Sequence, residues 1–193
     1  MARLGYAGCM RWVGMVLLLV GMTAAVAQGP DAAVLAKAQA GDAAAQLAVG
    51  EALTKQAAQA DPDERAARLA EATVWVRKAA EQGLVAAEVR LAECYRDGRG
   101  VGRDAAQAAQ WYRRAAEAGN TTAQGTLGTM YAMGLGVERD DAEAYFWFAV
   151  AAEVEGPNQQ KYAANRQQVG TRITAEELAE VQRRVKKWRV AHP

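Results

Sequence analysis

The feature that most limits what this chain can fold into is a period of 36 residues. When the segment from Gly83 is laid over the one from Gly119, Ala87 falls on Ala123, Leu91 on Leu127 and Tyr95 on Tyr131. Gly98-Arg99-Gly100-Val101 falls on Gly134-Leu135-Gly136-Val137, Asp104 on Asp140 and Trp111 on Trp147. Trp75 to Gly83 matches Trp111 to Gly119 at the same offset. So many coincidences at one spacing mark an internal repeat. A unit this short cannot bury a hydrophobic face alone, so copies must stack to build a shared core. An earlier copy opens at Gly41-Asp42-Ala43-Ala44-Ala45-Gln46, 42 residues before Gly83, and so carries six extra residues. These fall around Lys55 to Arg65, where Ala-Asp-Pro-Asp replaces the Gly-x-Gly-Val turn.

Each copy reads as two helices. Val85, Val89, Leu91, Cys94 and Tyr95 are apolar positions at helical spacing. Gly98, lacking a Cβ, is a natural left-handed stop for that helix. Val101 is expected to turn inward between the two helices. Asp104 and Asp140 suit the N-cap of each second helix, where a carboxylate accepts from otherwise orphaned backbone N–H groups. Asp61-Pro62 does the same in the first copy, with proline at the opening helical position. No alternating β-branched stretch competes with helix.

The ends read as caps. Asp31 to Ala40 resembles a lone second helix. Thr174-Ala175-Glu176-Glu177 is a capping box that opens a helix with one apolar stripe, Leu178, Val181, Val185 and Trp188. Arg113-Arg114 becomes Ala149-Val150 in the last copy, a loss of charge expected if the closing helix covers that surface. The fold class is therefore all-α: a short α-solenoid of three helix-turn-helix repeats with terminal cap helices. The expected division is a half-repeat helix at 31–40, three repeats within 41–156 (41–82, 83–118 and 119–156) and C-terminal capping helices over 157–193.

Gly98 to Val101, Asp104 and Trp111-Tyr112-Arg113-Arg114-Ala115-Ala116-Glu117-Ala118-Gly119 resemble the Sel-one-like repeat family of tetratricopeptide-related α-solenoids, and Gly134 to Val137, Asp140 and Trp147 do so again. The resemblance covers roughly residues 31–156. It implies a right-handed superhelix whose first helices line a concave face, and an adaptor for protein complexes, often in envelope assembly or signalling. The first repeat departs from the family by lacking the Gly-x-Gly-Val turn. The cysteine-rich exported branch of the family stitches its hairpins with disulfides, which Cys94 alone cannot do.

Residues 1–27 read as a cleavable signal peptide. Arg3 and Arg11 precede the apolar run Trp12 to Met22, and Ala25-Val26-Ala27 supplies the small-x-small cleavage pattern. The run is short for a membrane span of about 20 residues. Cleavage after Ala27 would deliver a periplasmic or secreted chain. It would remove two arginines and Cys9, leaving 21 basic and 22 acidic side chains and only Cys94. An internal disulfide is then impossible. The near-neutral balance gives no sign of nucleic acid as a partner.

Catalysis is disfavoured by elimination. The chain has no serine, which removes serine triads, and its one histidine, His192, is next to the last residue. Cys94 sits among apolar helical positions, where a small buried side chain fits better than a nucleophile paired with His192. Metal-ligand spacing is missing, so neither metal nor cofactor is expected. Glu88, Glu93, Asp97 and Asp104 leave a carboxylate hydrolase of cell-wall material or β-lactams as the alternative, although acids on helix surfaces are usually solvated. The segment Gly98-Arg99-Gly100-Val101-Gly102 lacks a preceding strand and phosphate-loop spacing, and its recurrence marks a structural turn. Trp75, Trp111 and Trp147, at a fixed period, are read as interhelix packing.

For binding, the informative positions are those that vary on the first helices. By register these are Ala48, Glu51 and Thr54, then Arg90, Glu93 and Asp97, then Thr126, Thr129 and Met133. A mixed surface of charge, hydroxyl and thioether suits another protein or peptide of the envelope, held by a monomer. Membrane contact is open only through Arg183, Arg184, Lys186 and Lys187, whose simpler role is to complement the C-terminal end of a helix dipole.

Overall fold

The computed structural model describes residues 30–192, and the expected signal segment 1–27 lies outside them. Among the described residues there are nine helices and no strand. α1 (Ala32–Gln39) is followed by three hairpins: α2 (Ala43–Ala57) with α3 (Pro62–Glu81), α4 (Val85–Asp97) with α5 (Ala105–Glu117), and α6 (Thr121–Met133) with α7 (Asp141–Ala151). α8 (Gln159–Gly170) and α9 (Ala175–Ala191) close the chain. From α1 to α8 each helix packs chiefly on its neighbours in sequence, and α9 passes over α8 to lie on α7. Such nearest-neighbour packing is the signature of a one-dimensional stack.

Local chemistry sets the boundaries. Asp31, Asp42, Asp61, Asp104, Asn120, Asp140 and Thr174 each accept a backbone N–H of the first turn that follows, and Thr174 with Glu177 completes the capping box. Gly98 and Gly134 end α4 and α6 in the left-handed conformation, with φ of 74° and 68°. The turn then closes identically in both copies. Asp104 N–H donates to Tyr95 C=O at 2.9 Å, and Asp140 N–H to Tyr131 C=O at 3.1 Å.

The second glycine of the turn has a different task. At Gly100 and Gly136 (φ 70° and 71°) a Cβ would fall inside the van der Waals shell of the Leu69 and Ala105 carbonyls respectively. The turn of each copy is thus pressed against the second helix of the copy before it. Thr73 Oγ1 donates to Arg99 C=O at 3.0 Å across the same seam. Val101 is half-buried and borders an open groove with Leu69 and Ala66 of α3, so it faces the preceding repeat rather than lying between its own two helices.

This accounts for the irregular first copy. α2 is two residues longer than α4, α3 is seven longer than α5, and the joining turn is three shorter, which absorbs the six extra residues as helix. α1 begins at Ala32, in the register of Gln110, so the described part of the chain gives the turn of repeat one no second helix to press against.

The core runs along the stack. Leu91 and Leu127 are fully buried at equivalent positions, each removal from water contributing about 1.5–3 kcal/mol. Periodic ties cross the seams: Arg77 donates to Tyr95 Oη at 2.7 Å, and Arg113 donates to Tyr131 Oη in the next copy. Trp75 and Trp111 are half-buried between hairpins under Lys78 and Arg114, whereas Trp147 is buried edge-on against Phe146 and Trp188. All three act as packing. Ala149 and Val150 are buried beneath the closing helices, as the loss of Arg113-Arg114 at that position required.

Candidate functional site

The expected binding positions lie on α2, α4 and α6, and the structure sorts them into two groups. The first is an ion network that joins repeat one to repeat two. Arg90 reaches Glu51 of α2 at 3.5 Å and Glu93 at 2.9 Å. Arg99 continues to Glu93 at 3.6 Å and Asp97 at 2.9 Å. Arg96 grips Asp97 through two hydrogen bonds of 2.7 and 3.0 Å and donates to Tyr112 Oη at 3.0 Å. The Arg96 hydrogen bonds hold the Asp97 carboxyl below its usual range, and burial pushes the Tyr112 phenol up to about 12. Glu51, Arg90, Glu93 and Asp97 are thus engaged with one another. Exposed ion pairs of this kind contribute well under about 1 kcal/mol each, so the network sets register more than stability.

Thr54 donates to Gly50 C=O at 2.8 Å and borders a small gap with Thr73, Cys94 and Arg99. Cys94 is buried there, and burial raises its thiol pKa, the opposite of what a thiolate nucleophile needs. His192 stacks on Trp188 at the end of α9, so the structure does not bring Cys94 and His192 together. Glu88 is buried with Arg114 at 2.9 Å, and Asp104 accepts the Gln107 N–H at 2.9 Å.

The second group is a cleft of about 300 Å³ between α4, α6 and α8. Thr126 and Thr129 line it from α6, with Gly125 and Met130. Arg96 enters from the end of α4, Arg103 from the turn into α5, Ala105 from the start of α5, Leu135 from the following turn, and Lys161 with Tyr162 from α8. Thr126 donates to Thr122 C=O at 2.8 Å and Thr129 to Gly125 C=O at 3.0 Å, which leaves both oxygens as acceptors. The Tyr162 ring lies directly over Gly125, where a Cβ would overlap it. Met133 stands apart, 64% exposed and outside the cleft.

Sequence reasoning missed Arg96, Arg103, Lys161 and Tyr162. A usable signal existed for the last: Tyr162 is 36 residues after Thr126 and 72 after Arg90, so α8 falls in the register of a fourth first helix. That position reaches back to the preceding first helix, as Arg90 reaches Glu51.

The basic C-terminal cluster is largely paired. Arg183 contacts Glu180, Arg184 contacts Glu143 and lies over the Phe146 ring, and Arg189 contacts Glu153. Lys186 and Lys187 have no ion-pair partner among the described residues.

Against known proteins, a family model described as "Sel1 repeat" matches residues 43–84, 85–120 and 122–154. Among solved structures, the chain is similar to a protective antigen present in uropathogenic Escherichia coli strains that displays an SLR fold. The identity is 33% and the TM-score 0.66, over 80% of this chain and 31% of that one. It is also similar to a Sel1 repeat protein from Oxalobacter formigenes, at 34% identity and a TM-score of 0.55, over 62% of this chain and 47% of that one. The chain thus spans about a third of the first protein and about half of the second. No curated protein matches it.

Proposed function

The chain belongs to the Sel1 repeat family, whose members are generally scaffolds for protein–protein interaction, and from that premise we propose that it is an exported scaffold holding a protein or peptide of the bacterial envelope on the face of its first helices. Catalysis by the chain itself is no part of this reading. The observation that carries it is the cleft between α4, α6 and α8. Three successive first-helix positions converge there on a space sized for one or two side chains, with hydroxyl acceptors and cations around an apolar floor. A stack of hairpins builds such surface without any chemistry of its own. Export rests on the targeting pattern of residues 1–27. The network from Glu51 to Arg96 keeps α2 and α4 in register, so that the cleft is held ready before a partner arrives.

Of the four cations on which a membrane-surface reading would rest, Arg183 and Arg184 are engaged with Glu180 and Glu143 and so attract lipid headgroups less, which leaves that reading Lys186 and Lys187 alone and favours the protein-binding one. The test is affinity capture from envelope extract with the purified monomer. A stoichiometric partner is expected, and filling the cleft with Thr126→Trp and Thr129→Trp should release it. Glu81→Arg, on the exposed side of α3, should not. Recovery of no partner, or equal recovery by the filled and parent proteins, would sink the reading.

A further inference from the structure

Resting on that scaffold reading, we propose that the cleft is a subsite for an acidic peptide segment, with Arg103 and Lys161 holding its carboxylates and the Tyr162 ring, Met130 and Leu135 receiving an apolar side chain between them. Charge carries the argument. Three cations line the cleft and no carboxylate does. Arg96 is already held by Asp97, but Arg103 and Lys161 are exposed and have no ion-pair partner among the described residues. This differs from the neighbouring surface over α2 and α4, where Arg90, Arg96 and Arg99 are each matched to an acid. A surface that neutralises its arginines over one half and leaves two of the three cations around a cleft unmatched is complementary to an anionic occupant.

The neutral groups indicate that the anion comes on a peptide. Because Thr126 and Thr129 already donate to backbone carbonyls, their oxygens face the cleft as acceptors. They therefore take hydrogen-bond donors, which an extended peptide backbone presents as a regular series of N–H groups, whereas a phosphatidylglycerol headgroup offers only its glycerol hydroxyls. The two oxygens lie three residues apart on one helix face, so they stand about one turn apart along α6. The closeness of the Tyr162 ring to the α6 backbone, possible only because residue 125 is glycine, gives the floor a flat apolar wall. A carboxylate beside an aromatic or branched side chain would satisfy cations, acceptors and wall together.

Selection from a display library of random heptapeptides on the purified protein tests this. Enriched sequences should carry two or more Asp or Glu beside an aromatic or branched residue. A synthetic peptide of that sequence should lose at least tenfold in affinity when its acids become amides, and again when the protein carries Arg103→Glu with Lys161→Glu. Affinity should also fall as salt is raised. Both changes are at exposed positions, and unchanged helicity of the variant confirms that folding is intact. Absence of enrichment, enrichment of neutral or basic sequences, or indifference to charge reversal would overturn the proposal. So would retention on phosphatidylglycerol vesicles in place of peptides, abolished by the same double variant. The two readings fail separately: an envelope partner still captured by the charge-reversed protein removes the acidic subsite and leaves the scaffold standing, whereas recovery of no partner by the parent protein removes the scaffold.

Discussion

The apolar cluster under α1 to α3 has five buried residues, three of them alanine and none aromatic, whereas the cluster running from α4 to α9 has twenty-one, six of them aromatic. Both are made from the same hairpin pattern. The difference lies in what each end has to cover. At the C-terminal end α8 and α9 lie on α7, where Arg113-Arg114 of the earlier copy give way to Ala149-Val150 and Gln110 gives way to Phe146, and Phe146 and Trp147 pack edge-on against Trp188. At the N-terminal end α1 supplies only eight residues, and stability leans on the long α3 and its caps. Repeat geometry is thus constant along the stack while cohesion is not, so the first repeat should open before the last.

The sharpest way to break that contrast is to remove the aromatic filling. Phe148→Ala is expected to cost about 3–5 kcal/mol in urea unfolding, against about 1–2 kcal/mol for Val49→Ala in the small cluster. Val49→Ala should in addition raise hydrogen exchange mainly in α1 to α3. Equal costs, or exchange spread evenly along the chain, would show that the two ends melt as one unit. Next in size comes the docking turn. Gly136→Ala should cost about 3 kcal/mol, since it adds a backbone clash to left-handed strain, whereas Gly98→Ala, with the same φ sign but 3.4 Å of clearance to Arg103, should cost about 1 kcal/mol. Similar losses at the two glycines would mean that turn docking contributes nothing.

Smaller still is Arg114→Ala, which leaves the buried Glu88 carboxylate without its partner at 2.9 Å; a loss of about 1–3 kcal/mol is expected, relieved by adding Glu88→Gln. Gln46 and Gln124 occupy the same register position in the other two copies, so the amide fits there. Last, Glu51→Gln at the exposed end of the ion network should change stability by less than about 0.5 kcal/mol. A larger effect would make the network a structural brace between repeats one and two.

The sequence was most readable where one residue type does one local job. Asp104, Asp140 and Thr174 cap because of what a carboxylate or hydroxyl does beside free N–H groups, and Gly98 stops a helix because it lacks a Cβ. Trp147 was legible through the period itself, and Val150 through its departure from it. The cleft was not legible, for three physical reasons. Lys161 and Tyr162 come from α8, where the repeat signature has faded although the register persists. Arg103 belongs to a turn, whose side-chain direction no helical wheel gives. Glu51, Arg90, Glu93 and Asp97 looked like open binding positions because a sequence cannot show that four such charges answer one another. The role of Gly100 and Gly136 was also hidden, since a glycine needed for its torsion and one needed for lack of space look the same on the page.

Because the turns of the second and third copies plug onto the helix of the copy before them, each of these hairpins brings with it the part that fastens it to its predecessor. Copy number is therefore a free variable for this architecture: a duplicated segment such as 83–118 arrives already fitted for the seam it creates, and the scaffold can lengthen without any new solution to packing.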